Sequence, residues 1–429
     1  MTQLELNTLG KICDKVNGII RTGPFGSQLH ESDYVNEGIP VVMPKNIVDG
    51  KVSVADIARI DETNVERLAQ HKLHSGDIVY GRRGDIGRRA LITNKEDGWL
   101  CGTGCLRISL GDSLLDPLFL YYYLGQPDII KWIFNQAIGA TLPNLNTEII
   151  RSIQVKYPPL PTQQKIAAIL SFYDDLIENN TRRIAILKEM AQSLYREWFV
   201  HFRFPGHKKK SMVESALGMI PEGWEVKSLS DVCLRITDGS HWSPQTVDIG
   251  YPMASVKDMH DWGFNIEGCR KIAKEDYNAL IRNDCKPLRG DVLIAKDGSY
   301  LKRIFVVEKE LEVVILSSIA ILRPNDKILS HILSLYLSEP SVKARLKSNV
   351  SGVAIPRIVL KDFAKFLLVL PPKNIQELFH EIAEPIISNC YRLIEKNLIL
   401  RQTRDLLLPK LISGEVDVEG LEVAGVGDG

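Results

Sequence analysis

The 429-residue chain has no excess of either charge, because 53 Lys and Arg balance 53 Asp and Glu. It is therefore neither a general polycation nor an acidic tail, and any basic surface must come from local distribution. Cysteine is sparse and unpatterned. Cys13, Cys101, Cys105, Cys233, Cys269, Cys285 and Cys390 form no CxxC pair and no repeated Cys/His spacing. That argues against a structural zinc site and for buried free thiols in a reducing compartment. Apolar runs are short: Leu118–Leu124 and Phe366–Leu370 fall far below the ~20 residues of a bilayer span. The opening MTQLELNTLGK lacks the apolar stretch of a signal peptide, so a cytoplasmic protein that touches no membrane is expected. There is no GxxxxGK[ST] phosphate loop and no convincing acidic–Lys nuclease triad, and Gly102-Thr103-Gly104 reads as a turn. What remains is an ordinary globular composition, 45% apolar and 25% charged, long enough for roughly two to four domains.

The chain repeats itself once. LELNTLGKIC (Leu4–Cys13) aligns with WEVKSLSDVC (Trp224–Cys233), and IPVVMPKNI (Ile39–Ile47) with YPMASVKDM (Tyr251–Met259). GDIVYGRRGDIGRRALI (Gly76–Ile92) aligns with GDVLIAKDGSYLKRIFV (Gly290–Val306), and GATLPNLNTEIIRSIQVKYPP (Gly139–Pro159) with GVAIPRIVLKDFAKFLLVLPP (Gly352–Pro372). The offsets are 220, 212, 214 and 213 residues, in the same order, and they change only between segments, as loop insertions produce.

Each copy has a mixed part and a helical part. Short β-branched runs such as Ile39–Met43, Asp77–Tyr80, Asp291–Ala295 and Glu312–Ile321 alternate with turn residues, and Pro117–Gly125 and Ser330–Leu337 carry short helical patterns. A long helical pattern then begins after Pro158–Pro161 and again after Pro371–Pro372. The expected fold is α+β: two tandem α/β domains (1–157 and 206–370, the latter with its linker), each followed by a helical spacer (158–205 and 371–415), with a flexible tail (416–429). The run HKKKS (His207–Ser211) reads as a solvated linker.

Both helices carry a 4-3 apolar stripe. In the first it is Ile166, Leu170, Tyr173, Ile177, Asn180, Ile184, Leu187, Ala191, Leu194 and Trp198. Shifted by 213, the second reads Phe379, Ala383, Ile386, Cys390, Leu393, Asn397, Leu400, Arg404, Leu407 and Leu411. A parallel pairing would bury Asn180 and Asn397 against leucine and isoleucine, at about 1–3 kcal/mol each. An antiparallel pairing about a pseudo-twofold matches positions whose numbers sum to 577. It brings the two Asn together, sets Leu194 on Ala383 and Ala191 on Ile386, and places Arg404 over Tyr173. Pro385 is expected to kink or delay the second helix. Two amphipathic helices packed separately on their own domains remain the alternative. A seam of about 33 residues spans roughly 50 Å, a geometry that suits reading two unlike DNA half-sites at a set spacing.

This layout resembles the specificity subunits of type I restriction–modification systems over essentially the whole chain. The likeness is strongest in TGPFGSQLHESDYVNEGIPVVMPKNI (Thr22–Ile47), LPTQQKIA (Leu160–Ala167) and LLLPKLISGEV (Leu406–Val416), and DGSH (Asp238–His241) is similar to another variant of the recognition domain. PPKNIQELF (Pro371–Phe379) departs from the family's junction by lacking a second proline. The resemblance implies a non-catalytic chain that reads an asymmetric two-part target in double-stranded DNA. It implies two modification subunits on the helices, which carry S-adenosylmethionine and methylate adenine. Two restriction subunits using ATP and Mg can join, and the chain itself holds no metal or cofactor. Gly23–Ser27 and Gly239–Trp242 look like recognition loops on the same ground, which singles out Arg21, Ser27, Ser240 and His241.

Chemistry adds further candidates. Arg82, Arg83, Arg88 and Arg89 lie in a Gly-rich turn between strand patterns, with Lys296, Lys302 and Arg303 as counterparts. Such cations suit phosphates or guanine edges. Lys45 and Lys257 occupy matching positions after matching strands, and Asn46 has the chemistry to pair with adenine. Two rival classes stay open: a methyltransferase with a disguised site, although Tyr157-Pro158-Pro159 lacks the acid or amide and the aromatic that an Asn/Asp-Pro-Pro-aromatic motif requires, and a helical scaffold whose end domains bind protein.

Overall fold

The repeat read in the sequence is a repeat of structure. The computed structural model describes residues 4–82, 87–111, 114–136, 145–296, 303–348 and 359–421. Each copy opens with a strand that pairs antiparallel with the strand before its proline junction, Glu5–Thr8 with Gln154–Tyr157 and Glu225–Ser228 with Leu367–Leu370. Each opening strand runs into a short helix capped by a hydroxyl. Thr8 Oγ1 accepts from Lys11 N, and Ser228 Oγ accepts from Asp231 N, both at 3.3 Å.

A four-stranded antiparallel sheet follows. Its order is Ile19–Thr22, Cys105–Ser109, Ile78–Gly81, Arg89–Leu91 in copy one and Cys233–Asp238, Ile319–Pro324, Val292–Ala295, Ile304–Val306 in copy two. The inner strands Ile78–Gly81 and Val292–Ala295 are buried at every residue, which explains their unbroken apolar runs. A second sheet sets Leu100–Cys101 parallel to Ile39–Val42, beside Ala58–Ile60. Its counterpart sets Val314–Ile315 parallel to Tyr251–Ala254, beside Arg270–Ile272. All seven cysteines are free and buried, and burial pushes the Cys101 and Cys233 thiols up to about 12.

The long helices run Leu160–Tyr195 and Lys373–Ser413. The first widens into a π turn at Arg196–Val200, where His201 N donates to Arg196 O at 2.8 Å. The second is not delayed by Pro385, which lies 12 residues inside it. Glu381, Glu384 and Pro385 are exposed, so water can serve the carbonyl that loses its helical partner. The basic linker is also more ordered than expected: His207–Lys209 form a 3-10 turn, and Met212–Ser215 pairs with Gly218–Pro221 as a hairpin. The tail's last residues, 422–429, lie outside the described residues.

By packing, the chain divides into two compact units, residues 1–179 with 397–429, and residues 180–396. Each therefore holds part of both long helices, running antiparallel. In the first unit Asp174 pairs with Arg404 and Asn397 Nδ2 donates to Ile177 O at 3.3 Å. In the second, Trp198 packs on Phe379 with ring centroids 5.7 Å apart, and Cys390 Sγ lies 3.9 Å from Ile184 O. Every stripe position is buried or half-buried, with Asn180 and Asn397 at 4% and 3% exposure. Asn180 belongs to the second unit and Asn397 to the first. The Arg404 guanidinium goes to Asp174 and Asp405 instead of stacking on Tyr173, and Asp174 also accepts from Tyr122 Oη at 2.6 Å. An available carboxylate outweighs a ring face as a partner for a half-buried cation.

The junctions are built alike despite the missing proline. Gln163, 0% exposed, accepts from Asp116 N at 2.9 Å and donates to Leu114 O and Pro158 O at 3.0 and 2.8 Å. Gln376, 213 residues later and 1% exposed, accepts from Leu329 N at 3.1 Å and donates to Lys327 O and Pro371 O at 2.7 and 2.9 Å. Gln163→Glu or Gln376→Glu keeps the shape but replaces two donors by acceptors. At roughly 1–3 kcal/mol per orphaned group, each is expected to destabilise its own unit by at least about 2 kcal/mol. Calorimetry should show this as a transition lowered by about 4–8 °C.

Candidate nucleic-acid interface

In each unit four loops converge at one edge of the two sheets. Gly23 N donates to Cys105 O at 2.9 Å, and a Cβ on Gly23 would stand 2.1 Å from Gly102 O. Only glycine lets these backbones meet. Thr103 Oγ1 donates to Pro24 O at 2.9 Å, Gly102 N to Val42 O at 2.9 Å, and Arg82 N to Gly104 O at 2.9 Å. The Gly102–Gly104 turn is thus the hub joining the loops at Gly23, Met43 and Arg82. Copy two repeats it. A Cβ on Gly239 would lie 2.2 Å from Ile315 O, Ser317 N donates to Ser240 O and Leu316 N to Ala254 O at 2.9 Å, and Lys296 N donates to Ser318 O at 2.9 Å.

The turn after the Ile39–Val42 strand is shaped from within. Asn46, 1% exposed, accepts from Met43 N at 3.1 Å through Oδ1, and its Nδ2 lies 3.5 Å from Ala55 O. Asp258 does the same for Ser255 N and Oγ, both at 2.8 Å. Against the expectation of an amide facing adenine, the Asn46 side chain is enclosed and shapes the turn, and the exposed side chains there are Lys45 and Lys257. The adjoining hairpins reach the long helices: Lys51 pairs with Glu178 in the first unit, and Asp261 with Lys188 at 2.5 Å in the second. Trp262 also packs on Tyr391 there, with ring centroids 5.1 Å apart.

Several candidate cations are engaged with the fold. Arg21 Nη1 lies 3.3 and 3.4 Å from the backbone and side-chain oxygens of Gln70. Arg82 Nε donates to Leu145 O at 3.1 Å. Arg89 Nε donates to Tyr121 O at 2.8 Å, and its guanidinium stands 4.8 Å from that ring's centre. Arg303 donates to Met259 O. Lys296, whose side chain is 4% exposed, is paired with Asp238, itself 13% exposed, and His241 Nε2 lies 3.3 Å from the other oxygen of that carboxylate. Ser240 is buried, its hydroxyl donating to Trp242 O at 2.7 Å. Ser27, Arg88 and His241 are exposed. Arg83 and Lys302 lie outside the described residues. Gly102-Thr103-Gly104 is a turn as read from sequence, but its part as a hub was not foreseen, and neither were the roles of Asp238, Gln163 and Gln376, which were quoted only within longer motifs. The glutamines were open to discovery, since they stand at the repeat offset in the two junctions.

His71 is buried, with no well-formed hydrogen bond to either ring nitrogen and only the Thr22 backbone near enough to favour its charged form. Burial pushes its pKa below 6.5, and the Arg21 and Arg107 guanidiniums add to this. His260 is lowered by burial and then by Arg303. Among the described residues no group of His, Cys, Asp or Glu can hold a metal ion, and no helix is long and apolar enough to cross a membrane.

The family model described as "Type I restriction modification DNA specificity domain" matches residues 8–189 and 221–400. The chain is similar to the type I restriction enzyme MjaIX specificity subunit of Methanocaldococcus jannaschii, 26% identical over 91% of this chain and 89% of that one. It is similar as well to the HindI specificity subunit of Haemophilus influenzae, 23% identical over 82% and 90% of the two chains. In fold it resembles the crystal structure of a type I restriction–modification S subunit from M. genitalium, with a TM-score of 0.54 and 17% identity over 96% of each chain.

Two outcomes are expected from this geometry. Lys296→Ala leaves the Asp238 carboxylate with His241 alone and should cost up to about 3 kcal/mol in urea denaturation, while the Asp238→Asn, Lys296→Met double variant recovers most of that. Stability should also fall as pH drops below about 6.5, because a histidine with a lowered folded-state pKa favours the folded state only while neutral. His71→Leu should flatten the decline in melting temperature between pH 7.5 and 5.5.

Proposed function

The chain belongs to the type I restriction–modification DNA specificity family, and from that premise we propose that each unit reads one half of an asymmetric two-part target in double-stranded DNA. The observation that carries this reading is the duplicated edge. Two units share one backbone arrangement and one exposed lysine, Lys45 or Lys257, but present different side chains beside it, Ser27 and Arg88 in one and His241 in the other. Similar backbones with unlike side chains suit two unlike half-sites better than a palindrome. The exposed lysines supply phosphate contacts, and the polar groups beside them are placed for base edges.

In this reading the chain supplies specificity and partner subunits supply catalysis. Two modification subunits carrying S-adenosylmethionine bind the long helices and methylate adenine, and two restriction subunits using ATP and Mg join them in the cytoplasm. Support for helix-borne partners is the apolar surface left outside the seams. Phe172, Ile399 and Leu406 in the first unit are 61%, 62% and 69% exposed, and Ile186, Met190 and Ile382 in the second are 61%, 50% and 45% exposed. These side chains lie on the same two helices, where a partner's apolar groups could cover them.

Co-expression with the neighbouring modification subunit, followed by mapping of methylated adenines, should reveal an asymmetric two-part motif that disappears without this chain. Exchange of residues 1–157 for the same region of a relative should alter one half of the motif only. In the complex, Lys45→Ala and Lys257→Ala should each weaken DNA binding and lower the slope of log affinity against log salt by about one. Unchanged methylation in a well-assembled complex would remove the reading.

A further inference from the structure

Two aromatic rings stand in the recognition-loop candidates of the two units, Phe25 at 58% and Trp242 at 53% exposure. An isolated exposed ring means little, since Leu234 and Ile249 are more exposed still, at 74% and 91%. These two differ because the backbone beneath them is held. Phe25 N donates to Gln28 Oε1 at 3.1 Å, while Phe25 O accepts from Gln28 N at 2.8 Å and Leu29 N at 3.2 Å. Leu29 is buried in the domain core, and Pro24 O is held by Thr103. Trp242 is gripped by one hydroxyl at both ends, its N donating to Ser240 Oγ at 3.1 Å and its O accepting from it at 2.7 Å. Each loop leaves a glycine, Gly23 or Gly239, that is pressed against the hub turn.

Each ring thus stands on a held backbone at the edge that also carries an exposed lysine, Lys45 or Lys257. Gly102 and Gly104 lie against Met43 and Pro44, beside Lys45, and Leu316 and Ser318 bond to Ala254 and Val256, beside Lys257. An exposed ring on a held loop, at an edge that also presents a cation, matches a polymer that offers flat apolar faces between phosphates. A protein partner would more often call for a continuous apolar patch.

Resting on the DNA-reading function above, we propose that Phe25 and Trp242 are DNA contacts, each ring packing on the face of a base at a step it opens in its own half-site. This contact is alike in kind in both units and adds affinity with little sequence preference. Discrimination falls to the unlike polar neighbours.

The test uses the complex with its modification subunits and duplexes carrying the mapped motif, with 2-aminopurine placed in turn at non-methylated positions of each half-site. Phe25→Ala should weaken binding roughly tenfold or more without changing the salt slope. It should abolish the 2-aminopurine signal in the first half-site only, and Trp242→Ala should do so in the second only. Phe25→Trp should restore both readings, which separates loss of the ring from loss of fold. Unchanged affinity and fluorescence in both alanine variants would overturn the proposal, as would a defect confined to assembly with the modification subunits. A parent complex that binds no duplex at all would instead bring down the DNA-reading function itself.

Discussion

One buried glutamine side chain at the start of each long helix sets how that helix leaves its domain. The proline junction leaves carbonyls that no regular structure can satisfy, and the facing loop leaves a backbone N–H. A primary amide is the only uncharged side chain with both an acceptor and two donors in one plane. Gln163 and Gln376 each close three such bonds. Because an unmade buried bond costs far more than a made one returns, the geometry is held narrowly. The second proline that copy two lacks is dispensable for the same reason, since the amide and not the ring carries the junction.

The same economy governs the edge where the loops meet. Backbone contacts through Gly23, Gly102 and Gly239 build it, so side chains around it can vary without disturbing the frame. Charge is divided between frame and surface. Arg21, Arg82, Arg89 and Arg303 reach backbone or side-chain oxygens, and Lys296 is matched by Asp238. Lys45, Arg88 and Lys257 are exposed. A chain of zero formal charge can thereby present cations at a chosen edge while a few charges, such as Lys296, Arg107 and Asp291, serve the interior.

Periodic features were legible because they depend on spacing alone. The repeat, the long helices and the buried stripes recur at fixed intervals, and the helices begin within two residues of the expected 158 and 371. Individual polar roles were not legible. Asn46 and Asp258 look like surface polar residues in a Lys-Asn or Lys-Asp pair, and only the closing of the 3-10 turn encloses them. Arg404 was matched with Tyr173 by register, yet Asp174, one residue on, takes the guanidinium. Register fixes which turns of two helices face each other, and side-chain reach then chooses among neighbours.

The sequence by itself determined the duplication, the class of fold, the two long helices and the kinship with DNA specificity subunits. All of these follow from patterns spread over many residues, where single exceptions such as Pro385 or Arg404 are outvoted. The tertiary structure alone decided which cations are exposed, which amides are spent, and that four loops distant in sequence form one edge. Those outcomes hinge on single hydrogen bonds and on whether a Cβ fits between two backbones, quantities that spacing does not encode.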